Sequence, residues 1–536
     1  MDIIKLYETT FRECWSQPAL TDYFTEETLS YGELARKING MHALLRENGI
    51  AKGDRIALIG RNSPSWVAIY VSVITYGAVI VPILPDFNPS DLCNIVEHSE
   101  SSLLFIERQI NEKLTKEGHP APRVEKIFPA DLRDIALPHT GTFSAEDINY
   151  DSRSADETII ISYTSGTSGF SKGVMLTDGN ISSNVQFALD HGFHFRGSRV
   201  LALLPLAHAY GCAFDMLTPL AAGSHITLLG KTPTPAILVK AMKEVRPHLI
   251  CTVPLVLEKI VRKKVLPELE RQPVATLIRI PLIRSIIFRR IRKTMLDSFG
   301  GCIREVNTGG AALSGDVESF LSRIGFPFTV GYGMTECGPL IAYEDHRFYK
   351  SGSGGRILPG MEVRIDRASD ADECGEILVR GCNVMKGYYR NPEATAQAID
   401  SEGWLHTGDV GKTDPDGTIY IKGRCKSMIL SGNGQNIYPE EIEFKLNSLP
   451  YVSESLVYEE KGRLIALIVP DAAAMKADGK NDGDLKAIMD GNLLRLNSTV
   501  ASYEQVSEYR ICETEFEKTP KKSIRRYLYP KKAIFK

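Results

Sequence analysis

Apolar and polar positions fall in alternating blocks along the first three quarters of the chain. "RIALIG" (55–60) predicts a strand, "PSWVAIYVSVITYG" (64–77) a helix, "IVPIL" (80–84) a strand, "PSDLCNIVEHS" (89–99) a helix and "SLLFIE" (102–107) a strand. "RVLALLPL", "HITLLG" and "HLICTVP" predict further strands with helical patterns between them. Short apolar strands alternating with helices predict parallel sheets covered by helices, an α/β class. The nineteen residues from Trp66 to Leu84 carry no charge and would suffice in length for a membrane span. Ser63-Pro64 reads as a helix start and Gly77 as a stop, so the soluble reading, a helix followed by the buried strand "AVIVPI", is preferred.

The texture changes near Gly352. "EVRID", "CGEILVRG" and "GTIYIKGR" predict a β-rich subdomain, roughly 352–425, inside a large domain of residues 1–425. A small α/β domain of residues 426–536 is expected after a boundary near Arg424 to Lys426. It contains the helix "PEEIEFKLNSL", the strands "VSESLVYEE" and "LIALIVP", and a last helical stretch.

The 536 residues are too many for one ordinary core. A hydrophobic share of 43% and a charged share of 24% describe a globular protein. The net charge of −3 gives no general attraction to nucleic acid or to anionic membrane. Ten scattered cysteines without a CxxC argue against zinc and against a disulfide framework, and fit reduced thiols in a cytoplasmic protein. Charges break up the apolar residues of "MDIIKLYETTFRECW", so no signal-peptide core is expected there. Locally, Arg262 to Lys293 holds ten Lys/Arg and two acidic residues, interleaved with large apolar ones in "IPLIRSIIFRRIRK". The favoured expectation is a solvated helix packing its apolar face on its own domain. The alternative is peripheral contact with an anionic bilayer at the inner face of a membrane.

The chemistry centres on "YTSGTSGFSKGVML", Tyr163 to Leu176, which follows the apolar run "TIII". It does not match GxxxxGK[ST], but its composition suits the same task. Glycines let backbone N–H groups crowd an anion, hydroxyls add donors, and a lysine adds charge. Downstream stand "NTGGAALS" (307–314), "GYGMTE" (331–336), "GWLHTGDVG" (403–411) and "GRCKSMI" (423–429). Five motifs in this order resemble the adenylate-forming superfamily of acyl-CoA synthetases, luciferases and peptide-synthetase adenylation domains. The resemblance spans nearly the whole chain.

The resemblance implies that ATP and a carboxylic acid give an acyl-adenylate and pyrophosphate, and that a thiol then displaces AMP. It implies that Thr164, Ser165, Gly166, Thr167, Ser168, Gly169 and Lys172 cradle the phosphates. Gly309, Gly310, Ala311 and Ala312 would lie beside adenine, and Tyr332 and Gly333 would form its wall. Thr335 would bond the α-phosphate. Glu336, with Thr167, would bind Mg²⁺, a hard cation that takes oxygen ligands. Asp409 would accept from both ribose hydroxyls, Arg424 would reach ribose or phosphate, and His208 in "LPLAHAYG" would line the carboxylate pocket. Lys426 stands at the hinge, and "SGNGQN" (431–436) would meet the thiol-bearing cofactor.

One motif departs from the family. The signature resembling "KTPTGKIxR" reads "KTPKKSIRR" here, Lys518 to Arg526, which puts Ser523 where the catalytic lysine is expected. Loss of such a positive charge costs about 3 kcal/mol in a desolvated site. Lys522 is the substitute expected here, with slow adenylation or an impaired homologue as alternatives. Length and the basic-apolar stretch look most like long-chain fatty-acid–CoA ligases. Acyl carrier protein is an alternative acceptor to coenzyme A, and a non-catalytic fatty-acid or nucleotide sensor and a membrane-associated scaffold are alternative classes. Oligomeric state is left open.

Overall fold

The computed structural model describes residues 2–117, 124–138, 141–164, 171–230, 234–265, 269, 274–367, 369, 372–430, 436–519 and 524–529. Among these, two seven-stranded sheets dominate. The first runs in the order Phe328–Val330, Glu305–Thr308, Leu249–Thr252, Arg199–Ala202, His225–Leu228, Pro18–Asp22 and Thr28–Ser30, and only the last pair is antiparallel. The second runs Gly387–Tyr388, Lys172–Thr177, Thr158–Thr164, Val79–Ile83, Arg55–Ile59, Leu103–Ile106 and Lys126–Pro129. Its far strands are parallel, whereas the Thr158–Thr164/Lys172–Thr177 hairpin and Gly387–Tyr388 pair antiparallel. The expected α/β class with parallel sheets is what the chain adopts, with antiparallel edges added where the glycine-rich motif lies.

The uncharged run from Trp66 to Leu84 splits into the helix Pro64–Tyr76 and the strand Val79–Ile83. Ser63 caps the helix by accepting from the Trp66 N–H at 3.1 Å, and Pro64 occupies the first turn. Gly77 ends it at φ +101°, a conformation that an L side chain resists. Both elements are buried among the other apolar strands, and each Val, Ile or Leu so buried contributes about 1.5–3 kcal/mol. Pro82 cannot donate to a ladder and is unusual in a central strand. Here Val79–Ile83 registers fully with Arg55–Ile59, but only Ile80 pairs with Ile160 on its other side. Among the described residues no helix is long and apolar enough to cross a membrane.

The strands Met361–Asp366, Gly375–Gly381, Leu405–Thr413 and Ile419–Arg424 make a separate antiparallel sheet. The chain then turns through Cys425–Ser427. A three-stranded sheet follows, Val452–Glu460, Arg463–Pro470 and Val506–Ile511, with the helices Pro439–Asn447 and Asp482–Asn497. This part has its own apolar core around Ile442, Leu446, Ala466 and Met489. All ten cysteines are free thiols.

Candidate nucleotide and acyl site

The described flanks of the glycine-rich motif form a hairpin, Thr158–Thr164 against Lys172–Thr177. Thr164 pairs directly with Lys172 across its two strands. Ser165, Gly166, Thr167, Ser168 and Gly169 lie outside the described residues. The Lys172 ammonium sits 4.7 Å from the centre of the Tyr388 ring. The Tyr388 hydroxyl donates to Glu336 Oε1 at 2.9 Å, and the Met385 N–H donates to the Glu336 carbonyl at 2.8 Å. Gly387–Tyr388 pairs with Met175 and Val174 on the hairpin. A short strand far along the chain therefore joins Lys172 to the acid of "GYGMTE". Burial and then the Glu336 charge push the Tyr388 phenol well above its ordinary range, which keeps it a donor.

Tyr388 is the residue missed by motif reasoning. Its signal was local, "GYYRNPEA", with no hint of which acid it meets.

Thr335 is buried and Glu336 half-buried in the single turn Thr335–Cys337. Tyr388 engages one oxygen of Glu336 and leaves the other to a cation, so the carboxylate suits Mg²⁺. When bound there, Mg²⁺ supplies charge neutralisation for phosphate oxygens. Gly333 admits no side chain, because a Cβ would lie 2.2 Å from the Pro339 carbonyl oxygen. Strand Glu305–Thr308 ends in an open ledge, with Gly309 buried and Gly310, Ala311 and Ala312 exposed. Gly310 takes φ +81°, and a Cβ on Gly309 would meet the Tyr210 ring at 3.3 Å. A flat base can approach such a ledge because nothing larger than a methyl group stands on it.

Asp409 and Arg424 are direct cross-strand partners and form an ion pair. The Tyr332 hydroxyl donates to Asp409 Oδ2 at 2.7 Å. Asp409 is buried, so its charge is fixed in place beside the Tyr332 wall. Burial opposes the Arg424 charge, but the Asp409 carboxylate outweighs this and raises the guanidinium pKa. These three residues form one unit, while Lys172, Glu336 and Tyr388 form a second. Lys426 is exposed at the turn between the two cores.

His208 caps the helix Ala209–Gly211, and its Nδ1 accepts from the Tyr210 N–H at 3.3 Å. That bond favours the tautomer protonated at Nε2, a donor suited to a carboxylate. Ala207 and Ala209, on either side of it, line a narrow slot with Pro82, Leu176, Cys212 and Gly338. The slot has room for about 10 Å³, roughly one water. The Tyr70 hydroxyl and the Cys212 thiol, 3.2 Å apart, engage each other. Cys212–Leu217, a π-helical segment, forms one wall. Within it Asp215 is buried, and burial pushes its carboxyl up to about 8.

Lys521, Lys522 and Ser523 lie outside the described residues. The residues bracketing them are anchored. Lys518 bridges to Ile524 and forms an ion pair with Glu454, and Arg526 pairs with Glu443. Glu305, Asp345 and His346 could also group around a metal ion. The Tyr343 hydroxyl, the His346 N–H and its ring nitrogen already engage the Glu305 carboxylate, at 2.5, 2.9 and 2.8 Å. The group reads as an internal polar network.

The two-core α/β chain carries a hairpin-borne lysine, a glycine ledge and a buried carboxylate paired with an arginine. The chain belongs to the AMP-binding enzyme family, whose profile matches residues 8–389. It is 31% identical over 472 residues to a feruloyl-CoA synthase of an Amycolatopsis species, covering 85% of each chain. It is 28% identical over 563 residues to the long-chain-fatty-acid–CoA ligase FadD15 of Mycobacterium bovis, covering 93% of this chain and 90% of the relative. Its fold matches the o-succinylbenzoate–CoA synthetase of Bacillus subtilis in complex with ATP and magnesium, with a TM-score of 0.75 at 24% identity, over 97% of this chain and 98% of that one.

Proposed function

We propose that this chain activates a long-chain fatty acid with ATP, releasing pyrophosphate, and passes the acyl group from the adenylate to coenzyme A. The coarser part, an AMP-forming acid–CoA ligase, agrees with the family and with relatives named as CoA ligases. The acid class is carried by one observation: the slot beside His208 is lined almost wholly by apolar side chains. Ala207 and Ala209, the chain neighbours of His208, line it, so a carboxylate held by His208 would lie next to the slot. Each methylene buried there contributes about 0.8 kcal/mol.

Lys172 and the hairpin would hold the β- and γ-phosphates, and Thr335 the α-phosphate. Glu336 would hold Mg²⁺, and Asp409 the ribose hydroxyls, with Arg424 and Tyr332 fixing its position. Attack by the carboxylate on the α-phosphorus forms the acyl–phosphate bond and breaks the bond to pyrophosphate. Lys522 would supply the charge that Ser523 lacks. The slot is too narrow as it stands for a chain, so the acyl tail must displace side chains of its wall.

ATP–pyrophosphate exchange with a ladder of straight-chain acids, ferulate, 4-coumarate and o-succinylbenzoate tests the reading. Exchange rising with chain length supports it. Exchange with an aromatic acid alone assigns the slot to aromatic acids, and no exchange with any acid sinks adenylation. Adding coenzyme A or acyl carrier protein in a second step identifies the acceptor.

A further inference from the structure

The helix Pro281–Ser298 presents a face that its own domain does not use. Phe288, Ile291 and Leu296 pack on the neighbouring core, and Met295 is buried. Phe288 meets Phe320 edge to face at 6.3 Å. At 3.6 residues per turn, Leu282, Ile286, Arg289 and Lys293 lie on the opposite side, with Arg290 beside them. Leu282 is 78% exposed and Ile286 62% exposed, among the most exposed large apolar side chains in the chain. Ile280, just before the helix, is 48% exposed. The expectation that this stretch spends its apolar face on its own domain therefore holds for one side of the helix only.

From Val274 to Ser298 there are six basic side chains and one acidic, Asp297, in a chain whose net charge is −3. Arg279, Arg284, Arg289, Arg290, Arg292 and Lys293 form no ion pair among the described residues, whereas most other described arginines do. Arg289, Arg290 and Lys293 continue the outward face beyond the exposed Leu282 and Ile286.

We infer that this outward face docks on an anionic lipid surface. Leu282, Ile286 and Ile280 would enter the boundary between headgroups and acyl chains, and Arg289, Arg290 and Lys293 would meet lipid phosphates. A folded acidic partner would match the charges. It would also need a recess for two projecting aliphatic side chains, which a bilayer does not require. The helix leads through Gly300 and Gly301 into the strand Glu305–Thr308, whose end is the ledge Gly309–Ala312. The inference stands whether or not the substrate is a long-chain acid.

The test is co-sedimentation of the full chain with vesicles of phosphatidylcholine alone and of phosphatidylcholine with phosphatidylglycerol. Binding to the anionic vesicles, weakened by salt and indifferent to ATP, is expected. The double variant Leu282→Ser/Ile286→Ser and the triple variant Arg289→Glu/Arg290→Glu/Lys293→Glu should each lower binding about tenfold or more. All five side chains are solvent-facing, so circular dichroism, the thermal transition and pyrophosphate exchange should be unchanged in both variants. Equal binding to the two vesicle types, or no binding to either, overturns the inference. So does unchanged binding by the variants. Capture of acyl carrier protein by the parent chain but not by the charge variant, without vesicle binding, reassigns the face to an acidic protein. Because the readout is sedimentation, its failure is separate from failure of the proposed acid specificity.

Discussion

Tyr388 should act on Mg²⁺-dependent adenylation through Glu336 rather than by touching substrate. Tyr388→Phe removes one hydroxyl, 2.9 Å from Glu336 Oε1, and leaves the ring in place. A hydrogen bond to a charged group is worth about 1.5–3 kcal/mol. Glu336 is half-buried, so solvent replaces part of that bond and the lower figure applies. About 1.5 kcal/mol corresponds to roughly tenfold in rate. The ring still faces the Lys172 ammonium at 4.7 Å, so Tyr388→Leu should cost a further ~0.5–1 kcal/mol, or about two- to fivefold. Glu336→Gln, which keeps the shape and removes the charge, should cost about a hundredfold, in line with loss of an electrostatic stabiliser worth ~3 kcal/mol.

The assay is ATP–pyrophosphate exchange at saturating acid, titrated with Mg²⁺, using whichever acid the parent chain accepts. In the Glu336→Gln background the Tyr388→Phe penalty should shrink to about twofold, because the charged acceptor is gone. The midpoint of the Mg²⁺ titration should rise in Tyr388→Phe. A penalty that stays tenfold in both backgrounds, or an unmoved Mg²⁺ midpoint, would refute the coupling.

Asp409→Asn should raise the KM for ATP at least about tenfold, since it discharges the acceptor that Arg424 and Tyr332 fix; steady-state kinetics with varied ATP checks it. Asp215→Asn should flatten the pH dependence of stability. The native carboxyl, raised by burial to about 8, keeps a proton that the unfolded chain releases above about pH 4. Stability from this group is therefore complete below that pH and is lost as pH rises toward 8; thermal unfolding of both proteins from pH 5 to 8 reads it. Gly333→Ala should lower stability and abolish exchange together, because its Cβ would collide with the Pro339 carbonyl oxygen. Ser523→Lys should raise the exchange rate, by up to about a hundredfold if the charge is missing, and Lys522→Ala should lower it.

Elements marked by local chemistry could be read directly from the chain. The run from Trp66 to Leu84 carries its own start and stop, Ser63-Pro64 and Gly77, so its division into helix and strand needed no tertiary information. The family motifs named Asp409 and Arg424 separately. That they face each other depends on the register of two strands, shifted by an irregularity between Val410 and Gly411, which no spacing rule supplies. Tyr388 was invisible for a similar reason: its acid, Glu336, is fifty-two positions earlier. The basic stretch showed its charge in sequence. Which apolar residues face inward followed only once Phe288 was packed against Phe320.

The passage of the chain through Cys425–Ser427 has a consequence for kinetics. The backbone passes from the large core to the small one once, at this turn, beside the Lys422–Glu441 ion pair, so the small core is held to the large one at a high effective concentration, on the order of millimolar for a short tether. Cutting the chain beside Lys426 would turn a unimolecular encounter into a bimolecular one. Two fragments supplied separately should then give a rate that depends on their concentrations, and adding excess small fragment should restore much of what the cut removed.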